Sequence, residues 1–512
     1  MTQSSNRDRA AISIAGWMAE SGVAFGTSGA RGLVSAMADR VCFAYVLGFL
    51  QHLTELDEFS AGVRVAVAGD LRPSTPRIVR ACAAAIRFAG GVPVYCGEVP
   101  TPALCHHAFA EGMPSLMVTG SHIPEDRNGI KFNRRRGEFL KSDEAAMRQQ
   151  LVSLPEHWFD ASGNLAVPVD PPVAIDVSAA YERRYLHFFG SRALAGLRLG
   201  VYEHSAVGRD ALGRILEALG AEVVRLGRSA VFVPVDTEAV RAEDVSLARK
   251  WVTEHRLDAL LTGDGDSDRP LLADETGAWL RGDILGILAA RFLGAQAVAT
   301  PVSSNTALER SEFAGRVWRT RIGSPYVVAA MAEALDAGWH PVAGYEANGG
   351  FLLASDVDLD GKKLPALPTR DAVLPMLCAL VAARRAGGAL SSLIAELPRR
   401  YTLSDRLSEM PTAASQTLLM ALSRPDDPEG AQARFTAVCG TVAQVDLTDG
   451  VRMVFSSADI VHLRPSGNAP ELRLYVEAGT PERARELLQL GMKVITGWKE
   501  GLARAPKSPA RT

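Results

Sequence analysis

The sequence predicts an α/β protein in which three similar α/β domains are followed by a smaller antiparallel α+β domain. Two observations carry this reading. Apolar, β-branched runs ending in small or polar loops alternate with helical segments closed by glycine through most of the chain. Past about residue 396 the pattern changes to short runs at Val442 to Val445, Val451 to Phe455 and Ile460 to Arg464, with a turn at Asp449-Gly450 and two flanking helices. A third observation is size: 512 residues, 47% of them hydrophobic, can bury several cores. At roughly 100–200 residues per domain, that length suggests three or four domains.

Residues 11–24 form a short amphipathic lead-in. Phe25-Gly26-Thr27-Ser28-Gly29-Ala30-Arg31-Gly32 follows, a loop whose glycines and hydroxyls suit close approach of backbone to a ligand, with Arg31 facing an anion. It is not a P-loop, because no Gly-Lys-Ser/Thr follows. Arg64 to Asp70 reads as a strand, then Arg72-Pro73-Ser74, a helix from about Thr75 to Ala89, Gly90-Gly91, and a strand from Val92 to Tyr95, completing a βαβ unit. Ser115 to Thr119 adds a buried strand to the same sheet. It ends in Gly120-Ser121-His122-Ile123-Pro124, followed closely by Asn128-Gly129-Ile130-Lys131. Ligands of open α/β sheets bind at the carboxyl ends of strands, so Ser121 is placed like a nucleophile or phosphate carrier, with His122 and Lys131 near enough to assist. The competing reading is a turn serine that only caps backbone. Arg134-Arg135-Arg136 reads as a solvated hairpin tip, and the polar, Pro-containing stretch from Ser162 to Pro172 as a domain boundary.

The second segment repeats the alternation: a strand from Leu197 to Tyr202, a helix from about Arg209 to Leu219, Gly220, Val223-Val224, and a strand from Leu257 to Thr262. Then comes Gly263-Asp264-Gly265-Asp266-Ser267-Asp268-Arg269. Alternating carboxylates in an extended loop point to one side, and Asp264, Asp266 and Asp268 would supply hard oxygen ligands for Mg²⁺ while leaving positions open for a phosphate. An EF-hand is a poorer reading, although Glu275 stands at its twelfth place: Arg269 replaces the required Gly, Pro270 follows, and the flanks read as strands. A solvated acidic turn is the remaining alternative. The third segment starts near Thr276, with strands at Ala297 to Val302 and Arg316 to Thr320, a helix after Ser324, and the loop Gly344-Tyr345-Glu346-Ala347-Asn348-Gly349-Gly350. In the last segment, Arg464-Pro465-Ser466-Gly467-Asn468-Ala469-Pro470 concentrates hydrogen-bonding residues before Arg473, and Ala505 to Thr512 reads as a disordered tail.

Composition excludes several functions. A net charge of −3 without a long basic run argues against nucleic acid or an anionic membrane as partner. The six cysteines lie mostly among apolar neighbours without a Cys-x-x-Cys pair, the usage of a reducing compartment. The N-terminus lacks an apolar signal region and no stretch holds 18 apolar residues without a charge, so the expected location is cytoplasmic.

A magnesium loop, a serine at a strand end and Arg/Ser/Gly loops together fit phosphoryl transfer, and their spread over several segments implies a cleft where the domains meet. In motif order and spacing the chain resembles the α-D-phosphohexomutase family, which includes phosphomannomutases and phosphoglucomutases. Phe25 to Gly32 resembles the family's N-terminal loop, Thr119 to Pro124 its phosphoserine loop, Asp264 to Arg269 its metal loop, Gly344 to Gly350 its sugar-binding loop and Arg464 to Arg473 its phosphate-binding loop. The resemblance implies a heart-shaped molecule around a central cleft, with domains at 12–165, 166–275, 276–395 and 396–505. It makes Ser121 the phosphate carrier and a metal ligand beside Asp264, Asp266 and Asp268, with one Mg²⁺ per chain. Arg31, Lys131 and Arg269 would surround the reacting centre, Lys131 as candidate general acid/base. Glu346 and Asn348 would grip sugar hydroxyls, and Arg464, Ser466, Asn468 and Arg473 would hold the phosphate that is not reacting.

The sequence departs from the family pattern at Ile123, where Asn is usual, at Asn348 for Ser, at Gly350 where His is frequent, and at Asn468-Ala469 for Thr-Glu. Ile123 and Gly350 remove polar groups that bear on proton transfer and specificity. The expected activity is interconversion of hexose 6- and 1-phosphates, with a hexose bisphosphate as intermediate and activator, mannose phosphate as first substrate and glucose phosphate as second. The expected assembly is a monomer or small homo-oligomer. A phosphatase and a non-catalytic sugar-phosphate binder on the same fold are the rival readings.

Overall fold

In the computed structural model the apolar runs singled out above are buried strands. It describes residues 11–26, 28–167, 170–423, 431–466 and 470–504. These fall into two compact units: one built from residues up to Ala299 with Phe313–Trp318 and Gly323–Ile394, the other from Thr300–Glu312, Arg319–Ile322 and Ala395 onward.

The first unit carries two α/β sheets and most of a third. In one, strands Ala24–Phe25, Ala30–Leu33, Arg127–Arg134, Ser115–Val118, Arg64–Gly69 and Val92–Glu98 lie side by side in that order. Arg64–Gly69 is parallel to both Val92–Glu98 and Ser115–Val118, which the helices Thr75–Phe88 and Thr101–Ala110 make possible as crossovers. Arg127–Arg134 then returns antiparallel to Ser115–Val118, setting Lys131 opposite Met117. A second sheet orders Glu222–Leu226, Arg198–Tyr202, Ala259–Gly263 and Pro270–Ala273. Its last two strands form an antiparallel hairpin, so the three-aspartate loop is a hairpin tip, as the exclusion of an EF-hand requires. A third orders Arg316–Thr320, Ala297–Pro301, Val342–Tyr345, Phe351–Leu353 and Leu367–Asp371.

The second unit holds one antiparallel sheet in the order Tyr401–Leu407, Leu472–Ala478, Ile460–Pro465, Val451–Phe455, Val442–Asp446. Its core gathers Met453, Phe455, Leu463, Leu474, Leu487 and Ile495. The class is the expected one: α/β sheets followed by a smaller antiparallel domain.

Several details differ from the sequence reading. Tyr401–Leu407 and Leu472–Ala478 are strands that it did not mark, and Arg473 lies in the second of them rather than in a loop. Tyr401–Leu407 is an edge strand with largely exposed, polar positions, so its alternation is weak. Three helices, Thr412–Leu422, Ala431–Cys439 and Pro481–Arg504, stand where two were expected. Arg134 is not simply solvated: its guanidinium pairs with Glu58 and, at 3.4 Å, with Asp143. All six cysteines are buried and free, as expected. Asn468 and the tail from Ala505 to Thr512 lie outside the described residues. Among those described, no helix is long and apolar enough to cross a membrane.

Candidate functional site

Ser121 follows its strand at φ +58°, in the left-handed region that a non-glycine residue enters at a cost of roughly 1–2 kcal/mol. What offsets that cost is a fully buried arginine that the sequence reading passed over. Arg72 has five N–H donors and uses all of them: Nε to Asp70 Oδ2 at 3.1 Å, Nη1 to the carbonyls of Pro124 (2.8 Å) and Arg127 (3.1 Å), and Nη2 to those of Ser121 (2.8 Å) and Ile123 (2.7 Å). Asp70 also accepts from Thr119 Oγ1 at 2.7 Å and Thr75 Oγ1 at 2.8 Å. Glycine at 120 makes this possible, since a Cβ there would stand 2.7 Å from Arg72 Cζ. The other face of the guanidinium lies 3.9 Å from the Phe232 ring centroid, a cation–π contact. The serine loop is thus held by its backbone, and the Ser121 hydroxyl is left to face the chemistry.

That hydroxyl donates to Asp264 Oδ2 at 2.5 Å. The aspartates converge through a tight turn, not through extended alternation: Ser267 N donates to Asp264 O at 3.0 Å and Ser267 sits at φ +56°. Alternation would have spread the side chains along one face, whereas the turn gathers carboxylate oxygens of Asp264, Asp266 and Asp268 within 4.8 Å of one another, all fully buried. Asp266 accepts from Thr101 Oγ1, and its carbonyl from Thr101 N at 3.0 Å, at the positive end of the helix Thr101–Ala110. Lys131 Nζ bridges Asp266 Oδ2 and Asp268 Oδ2, each at 2.5 Å. Burial, with the charges of Asp266 and Asp268, pushes Asp264 up to about 7. Burial also works to raise Asp268, but Arg370, Lys131 and Arg269 outweigh it and hold that carboxyl below its ordinary range. Asp266 Oδ1 and Asp268 Oδ1 are buried without a hydrogen-bond donor among the described residues. Three buried hard-oxygen groups with free lone pairs fit a divalent cation, and the group can hold a metal ion.

Arg269, next in the loop, donates from Nη1 to His122 Nδ1 at 2.9 Å. Burial and the Arg269 charge drive His122 down to about 3, so at neutral pH it is an uncharged acceptor on that nitrogen. Arg31 is half-buried near Arg269 and Arg370, with its Nη2 buried and without a partner among the described residues; desolvation, then those two charges, lower it to about 10. Glu346 is buried, with Oε2 3.5 Å from Arg370 Nη1. Asn348 differs from expectation in part: its Oδ1 accepts from Gly350 N at 3.0 Å and shapes its own loop, leaving the amide N–H₂ for a ligand. Arg370 is another residue that the sequence reading missed. Its signal, an arginine one residue before the end of the strand Leu367–Asp371, is no different from that of any other arginine near a strand end.

In the second unit, Arg464 and Arg473 are direct cross-strand partners, and Arg473 in turn faces Arg406. Like charges opposed on neighbouring strands repel, an effect offset here by Glu471, which lies 3.6 Å from Arg406 and 3.7 Å from Arg473. Arg464 pairs with Asp449 at 2.7 Å, and Ser466 N donates to the Glu471 carbonyl at 2.8 Å.

Comparison with known proteins gives the family. Profiles of phosphoglucomutase/phosphomannomutase α/β/α domain I, of α/β/α domain III and of the C-terminal domain match residues 22–153, 281–401 and 419–490. A phosphomannomutase of Salmonella muenchen is 43% identical over 493 residues, covering 95% of this chain and 98% of its own. One of Sinorhizobium fredii is 44% identical over 478 residues, covering 93% and 99%. The crystal structure of a phosphoglucomutase/phosphomannomutase family protein from Burkholderia thailandensis shares the fold with a TM-score of 0.71 at 20% identity, covering 93% of this chain and 98% of that one. The chain belongs to the phosphoglucomutase/phosphomannomutase family.

Proposed function

We propose that the protein is a phosphohexomutase that interconverts mannose 6-phosphate and mannose 1-phosphate, with glucose phosphates as second substrates. The observation that carries this is the Ser121 hydroxyl on Asp264, inside a ring of buried cations and carboxylates. Family membership and the similarity to two phosphomannomutases support the reaction class and the choice of sugar.

Ser121 carries the phosphate. Arg72 fixes its main chain, so the Oγ keeps one position as it gives up and regains the group. Asp264, Asp266 and Asp268 would hold Mg²⁺ together with the Ser121 phosphate. When bound, the ion supplies charge neutralisation for the moving phosphoryl group. Arg31 and Arg269 add positive charge, and Lys131, on the Asp266 and Asp268 carboxylates, is the candidate to shuttle a proton. Glu346, with the Asn348 amide, would take the sugar hydroxyls. Arg464, Ser466, Asn468 and Arg473 would bind the phosphate that is not reacting. The first transfer makes a hexose bisphosphate, and the second returns the other phosphate to Ser121. The molecule works as a monomer or small homo-oligomer in the cytoplasm.

The deciding experiment compares kcat/KM for mannose, glucose and glucosamine phosphates with a trace of hexose bisphosphate. Mutase turnover that depends on the bisphosphate and is fastest on mannose phosphate is expected. Net release of phosphate would make the protein a phosphatase, and binding without turnover a sugar-phosphate binder.

A further inference from the structure

Position 350 and Arg370 are coupled by space. A Cβ on residue 350 would lie 2.7 Å from Arg370 Cδ and 2.9 Å from its Cγ, so glycine there is what lets the arginine stem cross the sugar loop. The guanidinium that arrives is 1% exposed and spans two parts of the site. Nη2 is 3.0 Å from Asp268 Oδ2 in the metal loop and 3.4 Å from Ser28 Oγ in the N-terminal loop, while Nη1 is 3.5 Å from Glu346 Oε2 in the sugar loop. Nε and Nη1 are buried without a hydrogen-bond acceptor among the described residues. A buried guanidinium with open donors is costly unless a ligand completes it.

Its backbone is pinned on both sides. Glu138 accepts from Thr369 Oγ1 at 3.0 Å and Arg370 N at 3.4 Å, and from Ser324 Oγ at 2.6 Å. Asp371 accepts from Tyr181 OH at 2.8 Å and Tyr185 OH at 2.5 Å. Such bracing is what a preorganised charge needs.

We propose that Arg370 is a catalytic residue that donates from Nη1 and Nε to the sugar oxygen which bridges to the moving phosphoryl group, in the space that Gly350 leaves to its stem. The inference rests on the mutase reading above. Its logic is positional: a group between the carboxylate for the sugar hydroxyls and the carboxylates for the phosphate stands where sugar and phosphate join. In the return step, the P–O bond to the sugar breaks as the bond from phosphorus to Ser121 Oγ forms, and the serine proton ends on the sugar oxygen. Arg370 keeps its own protons and stabilises the negative charge on that oxygen until the proton arrives. Arginine suits this role, because it holds its charge through the cycle, and Asp268, Glu138 and Glu346 more than offset the effect of burial on it.

The test is steady-state kinetics on mannose 1-phosphate at saturating magnesium with a trace of hexose bisphosphate, using Arg370→Ala, Arg370→Lys and wild-type protein, each with and without guanidinium at low millimolar concentration. Removing one such donor typically lowers kcat about 100-fold or more, so Arg370→Ala should lose that much in kcat with KM changed far less. Free guanidinium should restore part of the lost rate in Arg370→Ala and none in wild type, a response that a purely structural role does not give. Arg370→Lys should retain more activity than Arg370→Ala, since it keeps the charge but not the fork. The inference is overturned if Arg370→Ala stays within about threefold of wild type. Loss of activity that guanidinium cannot rescue, with or without a lower melting temperature, overturns it as well. An inert wild-type protein would instead refute the mutase reading itself.

Discussion

Ser121 Oγ and Asp264 Oδ2 stand 2.5 Å apart although 143 positions separate them in the chain. They belong to different sheets, Ser121 at the end of Ser115–Val118 and Asp264 at the tip joining Ala259–Gly263 to Pro270–Ala273. Neither local stretch has a reason to hold its strained turn by itself. The contact therefore depends on how the two sheets pack together, and it puts a serine hydroxyl against a set of carboxylates that can hold a metal ion.

Replacing Ser121 with Ala should abolish mutase turnover and leave the fold in place, because Arg72 binds the carbonyl of residue 121 and not its side chain. Intact-mass measurement of the wild-type protein after incubation with hexose bisphosphate should show one added phosphate that maps to Ser121 and exchanges with labelled bisphosphate. Near-normal turnover of Ser121→Ala, or a phosphate mapped elsewhere, would remove the carrier role.

Metal affinity should depend on pH in a defined direction. Asp264 is raised to about 7 in the metal-free fold, by burial and then by Asp266 and Asp268, from an ordinary value of 3.8. A raised carboxyl binds its proton more tightly folded than unfolded, so ionising it weakens the metal-free fold as pH climbs from about 4 through 7. A cation needs the ionised form, so protons compete with it below about 7. Calorimetric titration of unphosphorylated protein should show Mg²⁺ binding weakening as pH falls from 7.5 to 6, and Asp264→Asn should bind weakly at every pH. Affinity that stays flat across that range would contradict the assignment.

Arg72 should matter to stability more than any residue of the phosphate chemistry. Arg72→Met leaves Asp70 buried and without its cation, a change that typically costs about 3–5 kcal/mol, and it frees four loop carbonyls. Arg72→Lys keeps the charge but has three donors for five acceptors, and should recover only part of the loss. Urea unfolding, read alongside turnover, checks both. A stability within about 1 kcal/mol of wild type for Arg72→Met would show that Asp70 finds another partner.

What could be read from the sequence followed chain locality. Strands with strong apolar runs, the Gly-Ser turn and the three spaced aspartates are local signals, and each lies where the sequence puts it. The edge strand Tyr401–Leu407 was hidden because it is polar on its exposed positions and owes its conformation to pairing with Leu472–Ala478, about 70 residues away. Arg72, Glu138 and Arg370 were missed for the same reason. Each is defined by partners remote in sequence, and a buried arginine looks like a surface arginine until the groups around it are known. Even the aspartate loop was understood for its composition and not its shape, since the left-handed Ser267 that gathers the carboxylates leaves no mark in residue spacing.

Glu346 offers the most selective test of the sugar end of the site. It is buried, its loop is closed by Gly350 O accepting from Glu346 N at 3.1 Å and by Glu346 O accepting from Gly349 N at 2.9 Å, and its Oε2 has no hydrogen-bond donor among the described residues. An ionised carboxylate so placed can accept from two sugar hydroxyls with charge-assisted bonds, whereas Gln keeps the size and one acceptor but presents N–H₂ to the other hydroxyl. Glu346→Gln should therefore lose roughly 1.5–3 kcal/mol of transition-state binding, a fall of about 10- to 150-fold in kcat/KM. The loss should appear on mannose and glucose phosphates alike, with Mg²⁺ affinity nearly unchanged because the aspartates remain intact. If the hydroxyl contacts form equally in ground and transition states, KM carries the loss; if they strengthen as the phosphoryl moves, kcat does. Unchanged kinetics on every hexose phosphate would place the sugar away from Glu346 and leave that carboxylate as a counter-ion for Arg370 alone.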